Sequence, residues 1–219
     1  MDWEAVAERG EGRYADGMAR LPEEPDARQR QLVRVAAAAT GVGLARLMQG
    51  RQAEAARWLT RSAERFRASY GSAPPESWGR LIGAVKARLL AGDLSGAQAD
   101  ARWALEQGPG EVRSPIGRYA AALAHLTLGE DEEAGQLAAG LQDEDPEAFP
   151  LPVADALAAL AGRDRDAYRG AVGRVLRSFE ERETYLEDVP VADTVLVLEA
   201  LADARDFAVQ PTSPRLPAR

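Results

Sequence analysis

Between Ser77 and Ala91 the apolar residues Trp78, Leu81, Ile82, Val85 and Leu89 recur at steps of three and four, the spacing of one helix face. Beyond Gly92 the period resumes with Ala97, Ala101, Ala104 and Leu105, and Pro109 closes it. Two helices joined by a short corner are therefore predicted, with "GDLSGA" (92–97) as the corner. The same hexapeptide form returns as "GRQAEA" (50–55), "GEDEEA" (129–134) and "GRDRDA" (162–167). In each copy the glycine (Gly50, Gly92, Gly129, Gly162) sits where a helix ends and suits the left-handed cap conformation that a side chain resists. The alanine (Ala55, Ala97, Ala134, Ala167) opens the next helix on its buried face, where a small residue lets the paired helices approach. Ala138 and Pro146 follow Gly129 at the offsets of Ala101 and Pro109 after Gly92, and Ala171 keeps the first of these offsets after Gly162.

Trp3, Val6, Gly10, Tyr14, Met18 and Leu21 mark an amphipathic first helix that ends at "LPEEPD", and Asp26 suits the cap of the alanine-rich helix that follows. At the other end Tyr168, Val172, Val175, Leu176 and Phe179 form the stripe of a long helix. After "LEDVP" comes "VADTVLVLEALADARDF", with Asp188 suited to cap and Pro190 to open a last helix that is apolar nearly all round and hence buried. The expectation is an all-α chain of antiparallel helical hairpins stacked as an array of about ten helices. Residues 1–206 form a single domain: a lid helix over 1–21, repeat pairs over 26–182 and a buried helix over 188–206. Residues 207–219, with three prolines, form an extended tail.

The corners lie 42, 37 and 33 residues apart. A spacing near the ~34-residue period with Gly-x4-Ala corners resembles the tetratricopeptide repeat. The units are degenerate: Leu81 replaces the large aromatic of the first helix in the second unit, smaller or polar residues do so elsewhere, and the first pair is long. The resemblance covers about residues 30–182 and implies a stack of helix pairs that works by binding.

Composition narrows the function classes. The amino terminus lacks the basic start and apolar run of a signal peptide, and the most apolar stretch is broken by Arg34 and Arg46. No cysteine is present, so disulfides, thiolate metal sites and thiol nucleophiles are excluded. A cytoplasmic location is expected. The net charge of −8 disfavours a phosphate backbone as partner and would steer a basic protein. Lys86 is the one lysine, and there is no asparagine, so a groove that clamps a carboxylate with those residues is disfavoured.

Neither G-x-S-x-G nor the phosphate loop is present, and "GVG" (41–43) lies within helical sequence, where it permits tight packing. His125, the one histidine, takes a packing position of its helix. Carboxylates cluster at "GEDEEAG", "LQDEDPEAF" and "FEERETYLED", flanking helix starts where the dipole favours them, and are expected to be solvated. No catalytic, cofactor-binding or metal residue is assigned. Asp193, in the first turns of the apolar last helix, bonds free amides or an arginine there, or contacts a partner. Trp58, Trp78, Trp103 and Tyr119 belong to the core or line a peptide groove. Arg57, Arg61 and Arg65 alternate with Glu54 and Glu64, so local pairing suffices for them.

The stretch "YLEDVPVADTVLVLEALADARDF", most closely over residues 185–201, resembles the ending of the immunity protein 49 family, all-helical proteins of bacterial polymorphic toxin systems. The resemblance implies a protein that binds and neutralises a cognate toxin by contact. The alternative is a general tetratricopeptide-like scaffold that binds a peptide or assembles a complex.

Overall fold

The computed structural model describes residues 1–111 and 113–218. Among them are ten α-helices, two 3-10 turns and no strand. The helices are α1 (Trp3–Ala19), α2 (Pro25–Met48), α3 (Gln52–Tyr70), α4 (Trp78–Leu90), α5 (Leu94–Glu106), α6 (Pro115–Leu128), α7 (Asp131–Gln142), α8 (Leu151–Ala161), α9 (Arg165–Glu181) and α10 (Asp193–Asp203). From α1 to α9 each helix packs on its chain neighbour, and α4 with α6 and α6 with α8 also touch across the pairs. Short corners and neighbour-on-neighbour packing give stacked helical hairpins. α10 breaks the sequence: it returns to lie on α4, α8 and α9, which accounts for a helix apolar on nearly every side.

All four corners are closed by one hydrogen-bond pattern. The N–H groups of Gly50 and Arg51 reach the carbonyls of Leu47 and Arg46, and the pairs at Gly92/Asp93 and Gly129/Glu130 repeat this. Gly50, Gly92 and Gly129 hold left-handed backbone, with φ of 72°, 71° and 80°. The fourth corner departs from the sequence expectation. Gly162 keeps a right-handed φ of −78°, and Arg163 takes the left-handed place with φ 53°. Its N–H bonds Leu160 and that of Asp164 bonds Ala159, the same two bonds one residue later.

The slip carries into α9. Counted five residues from the left-handed corner, the buried positions are Ala55, Ala97, Ala134 and Tyr168, whereas Ala167 is exposed. Four residues further on, Leu59, Ala101, Ala138 and Val172 are buried too. Tyr168 and not Ala167 therefore takes the buried position, with its ring edge-on to Phe207 at 5.5 Å and its hydroxyl on Glu199 of α10. Asp164 explains the later start, because its carboxylate accepts from the N–H groups of Asp166 and Ala167 and so caps α9 at that residue.

Two glycines of α2 are contact surfaces. A Cβ on Gly43 would lie 2.5 Å from the side chain of Leu59, so α3 packs directly on the α2 backbone there. Gly41 does the same for the segment at 187–189, with Val189 at 3.3 Å from such a Cβ. α2 starts earlier than expected: Glu24 caps it through the N–H groups of Asp26 (2.9 Å) and Ala27 (2.6 Å), Pro25 opens it, and Asp26 falls in its first turn.

α1 covers the amino-terminal side of α2, with Val6 and Ala7 in a core cluster that includes Val42, Leu47, Leu59, Val189 and Val191. A larger cluster runs from Trp78 of α4 to Leu201 of α10 and takes in Phe207 and Leu216 of the tail. Leu90 and Leu196 pack against both. The last helix begins three residues after Pro190, and Asp188 lies in a 3-10 turn and caps nothing there. The tail after Phe207 forms no helix, yet it is not loose: the Arg215 carbonyl accepts from the Ala192 N–H at 2.9 Å.

Candidate functional site

α10 and the segment leading into it bring together most of the unusual chemistry. Lys86 of α4 donates from Nζ to the Asp193 carboxylate at 2.6 Å and to Thr194 Oγ1 at 3.2 Å. Burial opposes the ammonium charge. The Asp193 carboxylate, with the Tyr119 phenol nearby, outweighs that penalty and holds the Lys86 pKa above its ordinary value. Burial likewise raises the Tyr119 phenol, against a smaller opposing pull from Lys86. Asp193 thus meets neither free amides nor an arginine, and its partner is the lone lysine of the chain. That singularity was the signal available in the sequence: one lysine in the apolar face "LIGAVKARLL" needs an acid, and α10 has one at its first residue.

Beside this pair a cavity of about 70 Å³ opens between α2 and the segment from Phe179 to Asp193. Thr40 and Gly41 form one wall; Phe179, Arg182 and Tyr185 form the other. The Arg182 guanidinium lies 3.8 Å from the centre of the Phe179 ring, and the Tyr185 hydroxyl donates to the Phe179 carbonyl. Next comes the 3-10 turn Leu186–Asp188. Glu187 (φ 58°) and Asp188 (φ 57°) are both left-handed without being glycine, a costly arrangement held by its surroundings. Glu187 pairs with Arg13 of α1 at 3.1 Å, and Val189 and Val191 are buried beside α2. Between these anchors Leu186 points outward and is 71% exposed.

The four aromatic candidates do not form one groove. Trp58 meets Tyr14 edge-on (ring centres 5.2 Å apart), fixing α1 to α3, with Arg61 over its face. Trp78 is buried in the larger core, and its indole N–H has no acceptor. Trp103 stands edge-on to Tyr70 at 5.4 Å, with Arg67 over it. Tyr119 packs on Phe149 at 5.5 Å. Each packs at a different place in the array.

The ionic residues are arranged over longer range than the sequence suggested. Glu54 keeps a local pair with Arg51 at 2.7 Å and also reaches Arg46 of α2 at 3.6 Å, while Arg65 donates to the Tyr14 hydroxyl of α1 at 3.4 Å. Contacts between helices thus add to the local pairing expected along α3. Asp131, expected to be solvated, is largely buried between Arg163 and Arg205, and Arg205 also donates to the Leu126 carbonyl at 2.8 Å. Arg46, only 5% exposed, pairs with Glu4 at 2.7 Å and Glu11 at 2.9 Å and so ties α1 to α2. Arg46 stood out in the sequence only as a break in the most apolar stretch, and Arg205 not at all. His125 is half-buried and lies 2.7 Å from Glu130. No helix of the described residues is long and apolar enough to cross a membrane.

In comparisons with known proteins, no family model, no curated protein and no solved structure matches the chain.

Proposed function

We propose that this chain is a non-catalytic protein-binding module, an immunity protein that binds and neutralises a cognate bacterial toxin. The observation that carries the reading is the turn at 185–188. It presents Leu186 to solvent beside two successive left-handed residues, with Tyr185 half-buried before it and Val189 buried after it. Strained backbone that displays an apolar side chain is what a preorganised anchor requires, because little ordering cost is left to be met on binding. The same turn opens the stretch that resembles the immunity protein 49 family.

Leu186 enters a pocket of the toxin, and the exposed Glu183 and Asp188 around it steer a basic partner surface and fix its orientation. The net charge of −8 acts in the same sense at longer range. Neutralisation follows from covering the surface that the toxin uses, with no bond made or broken. A standard interface buries about 800 Å² per partner, so exposed residues of α1 beside the turn would have to share in it.

The test is co-expression with the product of each neighbouring gene, scored for growth rescue and co-purification. Rescue with a stable complex that Leu186→Asp abolishes is expected. Rescue without a complex would show an enzymatic antidote. Failure with every neighbour would leave the scaffold reading in its place.

A further inference from the structure

The tail after Phe207 forms no helix and is nonetheless gripped. The Glu199 carboxylate on α10 accepts from the backbone N–H of Gln210 at 2.5 Å and of Val209 at 3.4 Å, and the Tyr168 hydroxyl donates to it at 2.8 Å. The Arg215 carbonyl accepts from Ala192, and the Ser213 hydroxyl donates to Glu180 at 2.6 Å. Leu216 is 7% exposed, in a pocket with Val195 and Leu196. Main-chain groups held by fixed polar partners, with one apolar anchor in a pocket, are the means by which a folded surface grips an extended peptide.

The seat does not stop at Leu216. Past it a concavity of about 510 Å³ continues between two hairpin corners, at Gln52–Ala53 and at Leu89–Gly92, with Leu196 and Ala200 of α10 as its third side. Of the described tail, Pro217 alone lines it. Its walls carry no charged side chain, so a charged occupant would lose its hydration without a partner. At the root of the tail Asp206 (φ 62°) and Gln210 (φ 56°) hold left-handed backbone, so the tail stays bound against local strain.

We infer that this cleft is a peptide-binding groove, filled at one end by the tail of the same chain, and that it takes an extended, proline-flanked leucine segment of another protein. The incoming segment displaces residues 209–217, takes over the Glu199 carboxylate and runs on between the two corners. The lining shares no residue with the cavity beside the 185–188 turn, and the tail meets that cavity only where Arg215 lies 5.3 Å from the Tyr185 ring centre. Leu186→Asp, which leaves the groove untouched, therefore separates the failure of one reading from that of the other.

The test uses the full chain and a fluorescein-labelled peptide of residues 208–218, read by anisotropy. The unsubstituted chain binds it weakly, because its own tail competes. Leu216→Asp frees the groove and tightens binding at least tenfold, and adding Glu199→Ala to that variant removes the gain. A peptide with aspartate in place of its leucine does not bind. Should Leu216→Asp lose helical circular dichroism, hydrogen exchange on the unsubstituted chain decides: saturating peptide must speed exchange at Val209 and Gln210. Unchanged exchange, equal weak binding by both chains, or a dimer formed by exchanged tails would each overturn the proposal.

Discussion

Lys86 Nζ and the Asp193 carboxylate lie 2.6 Å apart and join α4 to the start of α10 across 107 residues of chain. The contact closes the array upon its own last helix. Asp193→Ala leaves a poorly hydrated ammonium without its partner and should destabilise by roughly 2–4 kcal/mol in urea unfolding. Replacing both, as Lys86→Met with Asp193→Leu, should cost less than either single change, since no charge is then stranded.

Alkaline pH should weaken the fold. Lys86, Tyr119 and Tyr168 all have pKa values raised in the folded state, Lys86 by its carboxylate partner against the cost of burial, the two phenols chiefly by burial. Groups raised in this way contribute fully below their unfolded values, near 10.5 for lysine and 10.0 for tyrosine, and the contribution is lost as pH climbs through the folded ones. Urea midpoints should therefore be insensitive to these groups from pH 7 to 9 and fall above about pH 10. A midpoint that rises there would contradict the assignment.

The corner geometry separates residues that look alike in sequence. Gly129→Ala, at φ 80° with open space around it, pays only for the backbone and should cost about 1–2 kcal/mol. Gly162→Ala, at φ −78°, should stay within about 0.5 kcal/mol of neutral. Arg163→Gly should stabilise by about 0.5–1 kcal/mol, because glycine suits its φ of 53°, and Asp131 keeps Arg205 as partner when the mostly exposed Arg163 side chain is removed. Thermal unfolding of the three variants checks the order.

Gly43→Ala would place a methyl group within 2.5 Å of the fully buried Leu59 side chain. Overpacking should cost about 1–3 kcal/mol. Leu59→Val in the same chain should recover part of it, a coupling that a double-mutant cycle would measure.

Leu186→Asp should leave the unfolding midpoint unchanged within about 0.5 kcal/mol, since the side chain is 71% exposed. If the turn is the anchor, affinity for the toxin should fall by roughly 30-fold or more, as expected for a residue at the centre of an interface. Equal affinity in a calorimetric titration would move the interface elsewhere.

Much of this architecture is written locally. A helix shows itself through apolar residues three and four apart, and its end through a glycine that can turn left-handed, so the helices, their antiparallel pairing and the first three corners were legible from the chain alone. Three things were not. The fourth corner slipped by one because Asp164 is the better cap, and capping by a side chain competes with the glycine signal; that placed Tyr168, and not Ala167, in the core. Which partner Trp58 and Trp103 meet, and which distant acid each of Lys86, Arg46 and Arg205 meets, depends on residues 33 to 107 positions away. Finally, α10 was recognisable as buried, but only the packed array supplies the surface on α4, α8 and α9 that receives it, together with the groove in which the tail lies. Local spacing fixes what each segment becomes, while the pairing of charges and the filling of seams are decided where segments far apart in the chain meet.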